Sequence, residues 1–505
     1  MRKKNNRMNK TITIGSFSRI EGDLEIKVEL ENGKITKAYT SGTMFRGFER
    51  ILKGRDPMDS LVFTCRVCGL CGLSHSAASS SALKEAYKAE MPPNAYYVKN
   101  ILLAIENIAN HLTQIYMFFM VDFLNKKYKD ISDYDIIAKR YTPFTGESQK
   151  KVIYARKKLL EIMGIIGGKW PNSLVMQPGG VTKTLSLSEI VSCYGILSEI
   201  REFLENTLLG CPMESWLENR SFSDIEKWMD DEKNAKSDLG MFINFGTKTG
   251  LSEIGAGSEK LLSCGAYEEP DGTFWLKSGL YDGSWLPFEQ IKIEEHIAYS
   301  WYEGYDGGIH PSKGITIPNT RKENAYSWSK SPRYNNEVIE MGPLARMLVG
   351  NNPLASDIFK KNGSSVFTRQ LMRIHETIML AGKIKDWLDN IDTESPFYIK
   401  HNKLKDCSGI GLIEAARGML GHWISVVDNR IFNYQIITPT TWNFSPRDSA
   451  GNPGILEKSL TNLEIEDPEN PIEMYHVIRS FDPCMACTVH SVRGTKNDAS
   501  FHLTI

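Results

Sequence analysis

Two C-x-x-C pairs lie near opposite ends of the chain, Cys68-Gly-Leu-Cys71 and Cys484-Met-Ala-Cys487, and a histidine follows each, His75 and His490. A C-x-x-C segment turns tightly enough for both sulfurs to face one ion. Two pairs offer four thiolates, which prefer soft or borderline ions such as zinc, iron, nickel or copper over magnesium or calcium. A structural zinc module takes its ligands from a short segment. Here more than 400 residues separate the pairs, and closing such a loop costs about 5 kcal/mol in an ideal chain. That arrangement suits a site buried between folded parts, where a reactive cofactor belongs. Four thiolates around one divalent ion leave net negative charge, so a buried site needs a second metal or nearby arginines. Arg66 lies two residues before Cys68. A structural metal protein with four cysteine ligands stays open as the alternative.

The elements that must bring the pairs together are mostly helical. Apolar residues recur at helical spacing over residues 95–125, 150–166, 185–208 and 366–391. Thr11 to Thr40 reads as strand, turn, strand, because LEIKVEL alternates apolar and charged residues and ENGK supplies an Asn-Gly turn. Short strands are predicted over 265–300. Pro143, the QPGGVT segment at 177–182 and the Gly/Pro-rich stretch 304–318 punctuate the helices. The fold class is therefore α+β: mainly α, with a small N-terminal β-sheet (11–41), a helical core (about 95–210 and 365–392) and a β-rich insertion (about 265–320). The length of 505 residues suggests about three domains, yet no linker or internal repeat divides the chain.

Composition excludes several classes. A net charge of −1 gives no electrostatic footprint for nucleic acid. Nine cysteines, an odd number, form no disulfide framework and fit reduced thiols. Met1 to Lys10 is basic but leads into no apolar stretch, so no signal peptide is expected. The apolar run from Leu112 to Leu124 is short and carries Asp122; it reads as a buried helix rather than a membrane span. Synthesis in the cytoplasm is expected, with membrane association or export coming only through a partner.

RVCGLCGLSH (66–75) and DPCMACTVH (482–490) resemble the two signature motifs of the nickel–iron hydrogenase large subunit. SRIEGDLEIKVELENGK (18–34) and FRGFERILKGRDP (45–57) resemble the family's opening blocks. YSWSKSPRY (326–334), GPLAR (342–346), RGMLGHW (417–423) and NYQIITPTTWN (433–443) follow in the family's order. The resemblance implies the family's fold around a long-helix bundle and reversible, heterolytic cleavage of H2, with H2 uptake as the expected direction. It implies that Cys68 and Cys484 are terminal nickel ligands. Cys71 and Cys487 bridge to an iron that carries carbon monoxide and cyanide. Glu21 relays the proton outward. Arg417 lies over the open metal positions, with Asp482 orienting it. Thr440 hydrogen-bonds a cyanide, and His75 hydrogen-bonds a cysteine sulfur. Glu49, the backbone carbonyl of Ile436 and His490 hold Mg2+.

The same resemblance divides the chain into one catalytic unit, 1–490, and a C-terminal propeptide, 491–505, removed by a maturation protease after nickel insertion factors have acted. Cys193, Cys211, Cys264 and Cys407 are too scattered to hold iron–sulfur clusters, so electrons need another route, and the resemblance implies an iron–sulfur small subunit. Three positions depart from the family's pattern: Cys65 and Ala416 stand where proline is usual, and Asn110 where aspartate is usual. Three rival readings are weighed. The quinone-site subunit of respiratory complex I has lost the cysteine pairs, which argues against it. An H2-sensing regulatory protein shares the cofactor. A structural metal protein would hold zinc alone.

Overall fold

The computed structural model describes residues 10–488. The chain opens with a three-stranded antiparallel sheet of Lys10–Ile14, Leu24–Glu31 and Lys34–Gly42. Its second strand buries Leu24, Ile26, Val28 and Leu30 and turns the charged residues between them outward, the period-two pattern of a half-buried strand. The hairpin pairs Glu31 with Lys34. Asn32 and Gly33 take positive φ, 54° and 85°, as a two-residue turn of this twist requires.

Helix outweighs strand in the rest of the chain. Gly72–Tyr87 begins at the first cysteine pair. Pro93–Leu112 follows and is buried on every face over its last three turns. It does not continue as an α-helix to 125: the chain widens to a π-helix over Thr113–Phe119 and tightens to a 3-10 helix over Met120–Leu124. The Thr113 hydroxyl donates to the Ala109 carbonyl at 2.7 Å where the helix changes type. Asp122, inside this apolar run, is buried and pairs with Arg479 and Arg19. No helix of the described residues is long and apolar enough to cross a membrane. Further helices span Glu147–Gly167, Leu187–Phe203 and Val366–Asp389. Strands Lys260–Glu268 and Phe274–Asp282 pair antiparallel.

A further sheet, absent from the sequence expectations, is built from Cys407–Ala415, Gly418–Val427 and Arg430–Ile437. Its middle strand is buried almost throughout, so it reads as an unbroken apolar run rather than an alternating one. The Gly72–Tyr87 helix lies directly on its first strand. A Cβ added at Gly411 would sit 1.9 Å from the Ala78 carbonyl oxygen, and one at Gly409 would sit 2.1 Å from that of Ala82. Only glycine admits this approach. It brings the tight Ala415–Gly418 corner, with Arg417 in it, to the N-terminal end of the helix that follows Cys71.

Beneath the sheet lies a buried charge network. Arg346 donates to both oxygens of Glu376, at 2.6 Å each, and to Glu414 at 2.8 Å. His111 shares Glu376 at 2.9 Å. The paired guanidinium explains why these carboxylates can be buried at all.

Candidate metal centre

The two cysteine pairs meet. The four sulfurs of Cys68, Cys71, Cys484 and Cys487 lie within 4.8 Å of one another, all buried, and no other such group of metal-binding side chains occurs among the described residues. Cross-pair contacts are 3.3 Å for Cys68–Cys484 and 3.2 Å for Cys71–Cys487, with 2.8 Å between Cys484 and Cys487. None forms a disulfide. Burial opposes ionisation of Cys68, yet hydrogen bonds from the other three thiols and the Arg417 charge hold its thiol well below the ordinary range.

Each pair is fixed from several sides. Glu21 forms a parallel bridge to Cys484, its carbonyl accepting from the Met485 N–H at 2.7 Å. Gly22 has φ +81°, and a Cβ there would lie 2.4 Å from the Ala486 nitrogen, so only glycine lets this segment reach the second pair. Burial raises the Glu21 carboxyl above its usual range; Cys68 adds to the shift, and Arg417 and Arg46 oppose it.

Arg417 is buried beside the thiols. Its Nε donates to the Asp482 carbonyl at 2.9 Å, Nη2 to Asp482 Oδ1 at 3.1 Å and Nη1 to Asn110 Oδ1 at 3.2 Å. Burial works against its charge, but Asp482, Cys484, Cys71 and Cys68 more than offset this and lock it on. A small enclosed cavity is lined by Cys71, His75, Arg417, Thr438, Thr440 and Cys487, among others. The Thr440 hydroxyl oxygen accepts from the Cys484 N–H at 3.2 Å, leaving its own proton to give. His75 shares Nδ1 with His422 at 3.1 Å, and His422 shares Nδ1 with Tyr434 at 2.8 Å. Burial pushes His75 down to about 4, so it is neutral.

Of the second predicted metal site, Glu49 and Ile436 lie together. Glu49 Oε1 accepts from the Ile436 N–H at 2.8 Å, and Oε2 accepts from Thr316 and from Lys330. Lys330 also donates to Glu295 at 3.0 Å and Gln435 at 2.7 Å. Two buried carboxylates share one ammonium, and Glu295 Oε1 has no hydrogen-bond partner among the described residues. That charge balance and the orphaned oxygen fit a hard divalent cation. His490 lies outside the described residues.

The sequence matches the family model described as nickel-dependent hydrogenase over residues 46–153 and 150–490. This chain belongs to the nickel-dependent hydrogenases. It is 30% identical to the periplasmic NiFeSe hydrogenase large subunit of Desulfomicrobium baculatum, over 95% of this chain and 94% of that one. It is 28% identical to the hydrogenase-2 large chain of Escherichia coli, over 97% and 99%. Its fold superimposes on a reduced, active form of the Ni-Fe-Se hydrogenase from Desulfomicrobium baculatum with a TM-score of 0.83, 29% identity and coverage of 95% and 100%. The chain is thus the large, catalytic subunit of a nickel–iron hydrogenase, an oxidoreductase acting on H2.

In this hydrogenase the structure also places residues that motif reasoning passed over. Arg46 gives N–H groups to the Val67 and Arg66 carbonyls of the first cysteine turn and to the Ala486 carbonyl of the second at 3.3 Å. Glu106 accepts from Leu73 N–H at 2.8 Å, Ser74 N–H at 2.9 Å and Ser74 Oγ at 2.6 Å, capping the helix that starts after Cys71. Arg46 stands inside the quoted FRGF block, a charge among aromatics that could have been flagged; Glu106 carries no comparable signal. Among the departures, Cys65 is buried with its sulfur on the Val62 carbonyl, and Ala416 gives its carbonyl to Arg346 at 3.1 Å.

Proposed function

We propose that Cys68, Cys71, Cys484 and Cys487 would hold a nickel–iron centre, all four as ligands of nickel and Cys71 and Cys487 also of an iron that would carry carbon monoxide and cyanide. The observation that carries this reading is the enclosed set of four free thiols with a charged guanidinium beside it. When bound, the centre supplies the Lewis acidity and redox change that heterolytic H2 cleavage needs. The protein's residues position and move the rest. Arg417, planar and permanently charged, is held by Asp482 at the wall of the cavity, where it would polarise H2 and hydrogen-bond a cyanide. Thr440, whose oxygen already accepts from the Cys484 N–H, would give its O–H to the other cyanide. His75, pinned through Nδ1, keeps Nε2 for a cysteine sulfur.

Glu21 takes the proton on a carboxylate oxygen and passes it outward. Its half-buried place and raised pKa suit a group that must both accept and release a proton. Glu49, the Ile436 carbonyl and His490 would hold Mg2+, a hard cation that prefers oxygen ligands and water. Electrons leave through an iron–sulfur small subunit, since the described residues offer only the one thiol cluster. That the similar proteins are themselves named large subunits supports such a partner. Any export or membrane association is assigned to that partner. H2 uptake is the direction we assign, supported by likeness to an uptake hydrogenase large subunit of Afipia carboxidovorans, 29% identical. Residues 491–505 are a propeptide, cut after His490 once nickel is in place; they lie outside the described residues.

Metal analysis, infrared spectroscopy and H2-dependent dye reduction on the complex with its partner test this. Nickel, iron, bands from iron-bound carbon monoxide and cyanide, and sustained turnover are expected. Zinc alone would sink the reading.

A further inference from the structure

Asn110 stands where aspartate is usual in the family, and it uses both ends of its amide. It is 4% exposed. Oδ1 accepts from Arg417 Nη1 at 3.2 Å, while Nδ2 donates to the Leu70 carbonyl at 2.9 Å and the Glu106 carbonyl at 2.8 Å. Leu70 lies between Cys68 and Cys71. The orientation of the amide is set, because the Leu70 carbonyl can only accept and the guanidinium can only donate. A carboxylate has no proton to give, and would set its oxygens against two carbonyl oxygens in a dry interior.

Charge also separates the two residues. With asparagine at 110, Arg417 is balanced by Asp482 as its one ion-pair partner among the described residues. The neighbouring Arg373 is buried and makes no ion pair among the described residues. Its N–H groups go to Gln370 Oε1 at 3.0 Å and the Ser480 carbonyl at 3.1 Å. Aspartate at 110 would add a second anion against Arg417, beside the four thiols.

We infer that Asn110 is a positioning residue whose amide ties the first cysteine turn to Arg417, and through Arg417 to Asp482 before the second turn, in a strut that a carboxylate cannot make. The inference rests on the four cysteines being the nickel–iron site. The strut runs from the Leu70 carbonyl through Asn110 and Arg417 to Asp482. It is made of this chain's own atoms and needs no metal to form. Its consequence is specific: restoring the family's aspartate harms this enzyme.

The test is Asn110→Asp in the assembled, metal-loaded enzyme, read by nickel content, turnover per nickel and the nickel paramagnetic resonance signal. Nickel retained, turnover per nickel down about tenfold from the lost donor, and a shifted resonance are expected. Turnover at or above the wild-type level would overturn the inference. So would lost nickel with an unshifted signal from what remains, which marks a merely structural role. If Asn110→Asp does not accumulate as folded protein, Asn110→Ser decides, since a shorter hydroxyl cannot span from the Leu70 carbonyl to Arg417. A shifted signal with nickel retained supports the strut, and an unshifted one overturns it. Wild-type protein without nickel would instead sink the ligation itself, a failure visible before any variant is made.

Discussion

At the scale of single residues, the centre asks for particular atoms rather than particular shapes. Cys484 is fully buried, and its sulfur touches those of Cys68 and Cys487. Cys484→Ser leaves nearly the same volume but replaces a thiolate with a poor soft-metal ligand. Loss of hydrogen–deuterium exchange between H2 and heavy water is the expected result, and full exchange in nickel-loaded protein would contradict the assigned ligation. In the proposed role Glu21 acts through its proton. Glu21→Gln keeps the backbone bridge to Cys484, which uses only the main chain. Metal content should therefore be normal while turnover falls by about 100-fold or more. Unchanged turnover would mean that protons leave by another path.

The elements around these residues are anchored by polar atoms as much as by apolar packing. Glu106, on the Pro93–Leu112 helix, closes the exposed N–H groups at the start of the Gly72–Tyr87 helix. Burial raises it to about 7, against the pull of its hydrogen bonds from Ser74 and Leu73. The unfolded-state value of 4.5 lies lower, so between these values unfolding releases a proton. The contribution of Glu106 is therefore full below 4.5, falls by about 1.4 kcal/mol per pH unit as pH rises, and is flat above 7. In Glu106→Gln that dependence is gone. Wild type should lose stability relative to the variant between pH 5 and 7, and the two denaturation midpoints should run parallel above. A difference that stays constant over that range, or moves the other way, would contradict the assigned burial.

For the whole molecule, the order of assembly follows from where the ligands sit. Cys68 and Cys484 are 416 residues apart, and the second pair lies beyond nearly all of the fold. In the proposed centre it would close over the cofactor last. Glu21, Gly22 and Arg46, all near the other end, receive it. In the maturation proposed above, a tail beyond His490 would hold the second pair away until metal is loaded. Intact-mass measurement of active protein should show a C-terminus at His490. Active, nickel-loaded protein still carrying Ile505 would rule out the processing step.

The chain by itself determined what is local. The Asn32-Gly33 turn, the alternating Leu24–Glu31 strand and the helices Glu147–Gly167, Leu187–Phe203 and Val366–Asp389 follow from turn chemistry and periodicity within a few residues, whereas the apolar run over 95–125 did not disclose its change of helix type after Leu112. The types of the four candidate ligands follow from two short motifs. Contacts between distant segments were beyond its reach. No periodicity shows that Gly409 and Gly411 admit a helix, that Arg46 spans both cysteine turns, or that Lys330 lies between Glu49 and Glu295. The buried middle strand Gly418–Val427 has no alternating face to reveal it, and Asn110 reads as one polar residue on an apolar helix. Its meaning depends on Leu70 and Arg417 arriving from 40 and 307 residues away, and only tertiary packing decides which buried donor meets which acceptor.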